Sequence, residues 1–197
     1  MRKKLLVAAL ALAGAFGSIG SASAQDMLTG DTRLACEAIL CLSSGTRPGE
    51  CSPSLSRYFG IKMKKLSDTL KARLNFLQLC PASSQSSEMS NLVEAISRGA
   101  GRCDAQSLNR TLVFWRGSWD DGDTYISNQM PGYCAAYTGH QYTDLDDTAP
   151  RYVGDPNRGG HWVESQNYES ALAAYNDRIR KEDEARRNGL YDYRNSR

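Results

Sequence analysis

The cysteines are the residues of this sequence whose type and spacing come closest to a recognisable chemistry. The chain has six of them: Cys36, Cys41, Cys51, Cys80, Cys103 and Cys134. No two are spaced C-x-x-C, so the sequence lacks the redox motif of thioredoxin-like proteins and the paired ligands of a zinc ribbon. An even number of cysteines in an exported chain is typical of a disulfide framework. We therefore predict three disulfides, with no cysteine left to act as a nucleophile.

Six cysteines allow fifteen pairings, and helix geometry restricts them. Cys36 and Cys41 fall in one predicted helix, where a separation of five residues puts the Cα atoms roughly 8 to 9 Å apart on different sides. A disulfide requires less than about 7 Å, so each cysteine must reach a different partner. The sequence leaves the remaining pairings open. Our working hypothesis joins Cys36 to Cys80, Cys41 to Cys51, and Cys103 to Cys134.

The two histidines, His140 and His161, lie near several aspartates in the sequence and raise the question of a metal site. Their spacing matches neither H-x-x-H nor H-E-x-x-H. The acidic run at residues 120–123 has the composition of a calcium loop but not its alternating pattern or its terminal Glu. We expect solvated loop residues at these positions, with no metal and no cofactor.

A peptidoglycan hydrolase is the enzyme class worth considering, and it needs a carboxyl group that acts as an acid. Glu37 and Glu94 are the candidates for that role. Neither is accompanied in the sequence by a second carboxylate at suitable spacing or by a glycan-binding signature. Both lie in predicted helices among charged residues, where ion pairs with neighbours one turn away are the simpler interpretation. We therefore expect a non-enzymatic protein and keep a peptidoglycan-remodelling enzyme as the alternative.

A cluster of large aromatic residues occupies 48 residues in the second half of the chain. Its members are Trp115, Trp119, Tyr125, Tyr133, Tyr137, Tyr142, Tyr152 and Trp162. Such side chains dominate binding hot spots, and they also fill ordinary cores. Both interpretations stay open, and as the candidate partner contact we name Trp115, Trp119, Tyr125, Tyr133 and Trp162.

The N-terminus has the pattern of a signal peptide. Three basic residues at positions 2–4 precede an apolar run from Leu5 to about Gly17, and Ala22-Ser23-Ala24 supplies small residues before a cleavage site. The apolar run of about 13 residues is short for a bilayer, which needs ~20. We predict cleavage after Ala24 and export to an oxidising compartment, with a retained anchor as the weaker alternative.

The charge of the chain changes with this cleavage, from +2 to about −1. Residues 1–24 contain three basic and no acidic side chains, which leaves 21 Lys and Arg against 22 Asp and Glu. Direct nucleic-acid binding is not expected from such a balance. The charge is uneven, however: residues 46–80 carry seven basic and two acidic groups, whereas residues 104–164 carry four and nine. The two segments face each other, meet partners of opposite sign, or are simply solvated.

Apolar periodicity and capping residues predict four helices and a further short turn in the first half of the mature chain. The helices run from an Asp31 cap to about Ser44, from Ser52 to Phe59, from Ser67 to Cys80, and from about Met89 to Gly99, and Asp104 caps the short turn through Leu108. Residues 111–161 read as loops with one or two short strands. A long helix capped by Ser165 then ends near Gly189, and a frayed polar tail follows.

These elements predict a mainly α fold: a disulfide-stapled bundle of short helices, with an aromatic-rich loop and short-strand region and a long C-terminal helix. We expect residues 1–24 to be the signal peptide and residues 25–164 to form the stapled domain. Residues 165–197 would form the C-terminal helix and polar tail.

Several cysteine-bearing segments together resemble a known family. They are residues 30–45 (GDTRLACEAILCLSSG), 47–51 (RPGEC), 57–59 (RYF), 73–81 (RLNFLQLCP), 99–103 (GAGRC) and 131–134 (PGYC). The chain is similar in these segments to TrbM-type conjugal transfer proteins, also called KikA. The resemblance covers about residues 28–164.

The resemblance implies an accessory protein of plasmid conjugation, exported to the bacterial periplasm and linked to mating-pair formation by a type IV secretion machine. Other envelope proteins of that machine are then the expected partners. The family brings no assigned reaction, so no catalytic residue is implied here. The matched cysteines, glycines and the turn at residues 47–50 are implied to be scaffold.

Overall fold

The computed structural model describes residues 28–118, 120 and 122–195, with side chains as far as Gly189. The predicted signal peptide, its cleavage after Ala24 and the candidate contact Trp119 lie outside the described residues. Within this part the chain forms seven α-helices and four short strands. The mainly α fold class with a long C-terminal helix is thereby confirmed.

The elements follow one another along the chain in this order. The helices are α1 (Gly30–Ser43), α2 (Ser52–Gly60), α3 (Leu66–Leu77), α4 (Ser87–Gly99), α5 (Ala105–Thr111), α6 (Gly132–Thr138) and α7 (Tyr168–Asn195). The strands are β1 (Val113–Arg116), β2 (Asp123–Ile126), β3 (Arg151–Val153) and β4 (His161–Val163). β1 pairs antiparallel with β2, and β3 pairs antiparallel with β4. No described helix combines the length and apolar character needed to cross a bilayer.

The hydrophobic core lies where α1, α3, α4 and α6 pack together with α2. Leu42, Leu77 and Ile96 are fully buried there, each with a favourable burial free energy of about 1.5 to 3 kcal/mol. The phenol of Tyr58 is buried in the same core and donates a hydrogen bond to the Ile96 carbonyl at 3.1 Å. Burial raises the pKa of Tyr58, because the charged phenolate would be poorly solvated.

Three disulfides connect these helices, and they match the working hypothesis. Cys36–Cys80 joins α1 to the residues after α3, Cys41–Cys51 joins α1 to the turn before α2, and Cys103–Cys134 joins the α4–α5 connection to α6. The Cα–Cα distances are 4.9, 5.8 and 5.5 Å. Cys36 and Cys41 share α1 and reach different partners, as helix geometry requires.

Two predicted helix caps are wrong. The structure starts α1 after Thr29, and Asp31 lies inside the helix, where it pairs with Arg57 instead. Ser165 opens a short 3-10 turn, Ser165–Asn167, and α7 begins after it. The predicted cap on α5 is confirmed, because the Asp104 carboxylate accepts the Ser107 backbone N–H at 2.8 Å.

The predicted end of the last helix near Gly189 is also wrong, because α7 continues to Asn195. A glycine inside a helix is unfavourable by about 1 kcal/mol, which neighbouring interactions can offset. Ion pairs one turn apart, such as Asp177 with Lys181 and Arg178 with Glu182, lie along the preceding turns. They stabilise the helix locally, so a single Gly is too weak a stop signal.

Helix α6 is missing from the sequence prediction, which read its residues as loop. It has seven residues, too few to show a helical period, and only Cys134 and Tyr137 are buried. α6 packs closely on α4, because a Cβ added to Gly99 would lie 2.5 Å from Cβ of Tyr137. Tertiary packing and the Cys103–Cys134 bridge therefore fix this helix more than its local sequence does.

Candidate functional site

An exposed β-hairpin carries part of the aromatic cluster, and we call β1, β2 and their connection, residues 113–126, the aromatic hairpin. Val113, Phe114 and Trp115 are consecutive exposed residues in β1, and Trp115 is 59% exposed. Because neighbouring residues of a strand point to opposite faces, both faces of β1 present large apolar groups to solvent. Adjacent exposed apolar residues of this size are typical of an interaction surface.

One face of the aromatic hairpin is organised by cross-strand pairs. Phe114 lies opposite Tyr125, with ring centroids 5.9 Å apart. Arg116 lies opposite Asp123 and donates two hydrogen bonds to its carboxylate, at 2.6 and 2.9 Å. These hydrogen bonds from Arg116 lower the pKa of Asp123. This face of the aromatic hairpin thus presents the Phe114–Tyr125 ring pair beside the Arg116–Asp123 ion pair.

The other face is dominated by Trp115, whose ring lies over Gly122. A Cβ at position 122 would overlap the six-membered part of the indole, so only glycine leaves room for this packing. The ring therefore packs against the hairpin backbone at Gly122 although most of its surface is exposed. An aromatic side chain that is already packed in this way has less conformational entropy to lose on binding.

The half-buried Tyr152 and the buried Trp162 of the second hairpin, β3 and β4, support the base of the first. Tyr152 donates its hydroxyl proton to the Ile126 carbonyl at 2.7 Å, and the Trp162 indole N–H donates to the Ser127 carbonyl at 2.9 Å. The two supporting rings meet edge to face at 5.3 Å. Desolvation raises the pKa of Tyr152 to about 12, so its hydroxyl remains a donor at physiological pH.

Helix α5 also anchors this support. The Asn109 amide donates to the Trp162 carbonyl and accepts its backbone N–H, both at 2.8 Å. Glu164, two residues further on, accepts the backbone N–H of Ala105 at 2.8 Å. β4 is thereby joined to the middle of α5, and the residue after β4 is joined to its start. The aromatic hairpin thus stands on a well-connected base.

The structure separates the five residues that the sequence grouped as a candidate contact. Trp115 and Tyr125 lie together on the aromatic hairpin, whereas Tyr133 lies in α6 with the Arg102 guanidinium 4.0 Å from its ring centre. Trp162 is only 5% exposed, so its assignment as a contact is corrected to a supporting role. Trp119 lies outside the described residues.

Sequence reasoning missed Phe114 as a surface residue. The β-prone run at residues 111–115 carried the signal, because two consecutive large apolar residues in a strand point to opposite faces. One of the two must then be exposed unless both faces of the strand are covered. A two-stranded hairpin leaves both faces uncovered at β1.

The carboxylates that an enzyme would need are engaged elsewhere. Glu37 and Glu94 form ion pairs at 2.6 Å with Arg33 and Arg98, one helical turn away on the surfaces of α1 and α4. A separate cleft of about 260 Å³ contains the carboxylates of Asp104 and Glu164. Both of these accept hydrogen bonds from backbone N–H groups at the start of α5. They hold helix α5 in place. Each described carboxylate that lines the cleft therefore has a structural contact.

The same cleft is bordered by a buried tyrosine that connects α6 to α1. Tyr137 donates its hydroxyl proton to the Leu42 carbonyl at 2.6 Å. Desolvation raises the pKa of this phenol to about 12, and its proton is therefore kept at neutral pH. The contact is structural, because the acceptor is a backbone carbonyl at the end of a core helix.

The two histidines lie apart from any ligand cluster in the described residues, where no group of three His, Cys, Asp or Glu side chains could hold a metal ion. The His140 Nδ1 accepts the Tyr142 backbone N–H at 3.1 Å. The His161 Nδ1 lies 3.4 Å from the Gly159 carbonyl. Each ring thus contacts its own loop.

The two segments of uneven charge, residues 46–80 and residues 104–164, form no ion pair with each other in the described residues. Arg57 pairs with Asp31 of α1, and Arg116 pairs with Asp123 within the aromatic hairpin. The described residues thus hold no ion pair between the two segments, although the Arg47 guanidinium of the first segment interacts with the Tyr137 hydroxyl of the second.

A family model named TrbM matches residues 27–176, which include all three disulfides and the aromatic hairpin. The chain belongs to the TrbM family. Membership of the TrbM family makes it a conjugal transfer-associated protein. The TrbM match ends inside α7, so the rest of that helix lies beyond the family region. Comparisons with curated proteins and with solved structures found no match.

Proposed function

We propose that this chain is an exported, non-enzymatic accessory protein of plasmid conjugation. In this proposal it docks on an envelope protein of the type IV secretion machine during mating-pair formation. The aromatic hairpin is the contact surface. The observation that carries the proposal is the exposure of Phe114 and Trp115 on a hairpin whose base is fixed by Trp162.

The aromatic hairpin has the composition of an interface centre. Tryptophan and tyrosine contribute most to binding hot spots, particularly where apolar rings are surrounded by polar groups that exclude water. Trp115, Phe114 and the half-buried Tyr125 supply the rings. The Arg116–Asp123 ion pair supplies a polar border. A partner surface with an apolar pocket and a polar rim fits this arrangement.

Two features support export to the periplasm. The N-terminal sequence has the three regions of a signal peptide. All six cysteines are paired in the structure, and disulfides persist in oxidising compartments such as the bacterial periplasm. Intact mass measurement of the protein from its host tests this part of the proposal. We expect a chain that starts at Gln25 and carries three disulfides.

Replacing Phe114 and Trp115 together by Ala tests the contact surface. We expect donor transfer to be lost, because the exposed rings are removed, while helicity and thermal unfolding stay nearly unchanged. Leu40→Ala is the matched control, since Leu40 is an apolar residue 71% exposed on α1. If the double variant transfers the plasmid as well as the wild type does, the aromatic hairpin is not the contact.

Incubation of the purified protein with peptidoglycan sacculi tests the non-enzymatic part. The structural engagement of Glu37, Glu94, Asp104 and Glu164 supports an absence of released muropeptides. Release that disappears in a Glu94→Gln or Glu164→Gln variant would instead favour the peptidoglycan-remodelling enzyme. A catalytically active control hydrolase establishes that the sacculi are a competent substrate.

A further inference from the structure

A second exposed surface lies far along the sequence from the aromatic hairpin, at the connection between α2 and α3. We call residues 62–66, Lys-Met-Lys-Lys-Leu, the lysine loop. All five residues are exposed, and the apolar Met63 and Leu66 are each 55% exposed. The loop therefore alternates cationic and apolar groups on the outside of the molecule.

The lysine loop is held in place by one buried residue of α3. The hydroxyl of Thr69 accepts the Met63 backbone N–H at 2.9 Å and lies 3.2 Å from the Lys65 carbonyl. The Thr69 backbone N–H also donates to the Lys65 carbonyl at 3.1 Å. Because the backbone is tied inward, the exposure of the Met63 side chain is a property of a fixed loop.

The positive charge of this surface is not neutralised within the described chain. Lys62, Lys64, Lys65 and Lys71 take part in none of the ion pairs found among the described residues. The cations of α7 behave differently, since Arg180 and Lys181 both pair with Asp177. Positive charge is thus left unpaired at the lysine loop, whereas it is paired at Arg180 and Lys181.

Apolar surface continues beside the lysine loop. An open groove of about 480 Å³ has the apolar lining residues Ile61, Met63, Phe76 and Leu79, and Arg57 and Lys62 also line it. The exposed Leu79 extends this apolar surface to the end of α3. This surface therefore combines exposed lysines with the exposed apolar side chains of Met63, Leu66 and Leu79.

We propose that the lysine loop and this groove bind the surface of an anionic phospholipid bilayer. Lysines beside a membrane are attracted by acidic headgroups, while protruding apolar side chains enter the boundary between headgroups and acyl chains. Lys62, Lys64 and Lys65 supply the first interaction, and Met63 and Leu66 supply the second. The chain as a whole is close to neutral after the predicted cleavage, so the attraction comes from this local cluster.

Vesicle sedimentation tests the proposal with phosphatidylglycerol-containing vesicles and pure phosphatidylcholine vesicles as probes. The protein is purified with its disulfides intact, and every variant carries the same N-terminus. We expect binding to the anionic vesicles only, weakened by added salt. Since each lysine contributes about fivefold, the K62Q, K64Q, K65Q triple variant should bind roughly 100-fold more weakly. A Met63→Ser, Leu66→Ser variant should lose about tenfold, because less apolar surface is buried.

The charge-matched control replaces Arg33, Arg180 and Lys181 by Gln, which removes three cations that are paired in the structure. It should bind the anionic vesicles within a few fold of the wild type. Equal binding by the lysine variant and the wild type overturns the proposal. An absence of vesicle binding by the wild type also overturns the proposal. In that case, loss of plasmid transfer in the lysine variant would indicate that an acidic protein binds the lysine loop. Loss of an oligomer seen by sedimentation would indicate that a second copy of the chain binds there.

Discussion

The side-chain amide of Asn109 forms two hydrogen bonds, both 2.8 Å long, with the backbone N–H and C=O of Trp162. The two residues are 53 positions apart and connect α5 to β4. An asparagine side chain here takes the place of a neighbouring strand, since it satisfies the donor and the acceptor of one strand residue. Trp162 in turn supports the base of the aromatic hairpin, so Asn109 stabilises the hairpin through it.

Replacing Asn109 by Ala should destabilise the protein by about 2 kcal/mol. Both hydrogen bonds are lost, and the part-buried backbone groups of Trp162 are left without these partners. Urea unfolding followed by far-UV circular dichroism measures the change. Asn91→Ala, on an exposed face of α4, is the control and should leave the free energy of unfolding almost unchanged. Similar stabilities of the two variants would contradict the role given to Asn109.

A methyl group at Gly99 should disrupt the contact between α4 and α6. The added Cβ would lie 2.5 Å from Tyr137 Cβ, and overpacking of this kind destabilises by about 1 to 3 kcal/mol. Gly132→Ala is the matched control, because a Cβ added there, at the start of α6, would meet no atom within 4 Å. Thermal unfolding of both variants separates steric overlap from the loss of a glycine. A stable Gly99→Ala protein would show that α6 moves freely.

The helices could be predicted from the sequence because their signals are local, whereas the disulfide pairing was restricted only in part. Apolar residues recur at helical spacing in α3 and α4, and Asp104 marks the start of α5. The argument that excludes a disulfide between Cys36 and Cys41 depends only on helix dimensions. Asp31 and Ser165 show the limit of this reasoning. Each is a good capping residue, but Asp31 lies inside α1 and pairs with Arg57, and Ser165 lies in a 3-10 turn before α7.

The candidate site could be predicted only in part, because exposure depends on contacts distant in sequence. Trp115 and Trp162 both lie in short strands, but one is exposed and the other is buried. The difference arises from Asn109 and Ser127, which bind Trp162 from 53 and 35 residues away. Nothing in the residues beside either tryptophan encodes that difference.

Removal of the disulfides should destabilise the protein in the order of the loops they close. The sequence separations are 44 residues for Cys36–Cys80, 31 for Cys103–Cys134 and 10 for Cys41–Cys51. Restriction of the unfolded chain then contributes about 4 kcal/mol for each of the two long loops and about 3 kcal/mol for the short one. Double Cys→Ser variants, compared by urea unfolding, measure these losses. The largest loss at Cys41–Cys51 would show that native-state packing outweighs chain entropy.

The ion pair between Arg57 and Asp31 should make stability sensitive to acid. Arg57 donates hydrogen bonds at 3.0 and 2.6 Å to the Asp31 carboxylate, which hold the pKa of Asp31 below its usual value. A carboxyl group whose pKa is lower in the folded state than in the unfolded state stabilises the fold at any pH above its unfolded pKa of about 3.9. This stabilisation is lost as the pH falls through the pKa of the folded state. Carbon NMR titration of Asp31 should show its pKa rising in Arg57→Gln, whereas Arg98→Gln, which breaks the pair with Glu94, should leave it unchanged. An unchanged Asp31 titration in Arg57→Gln would mean that the two groups are not coupled in solution.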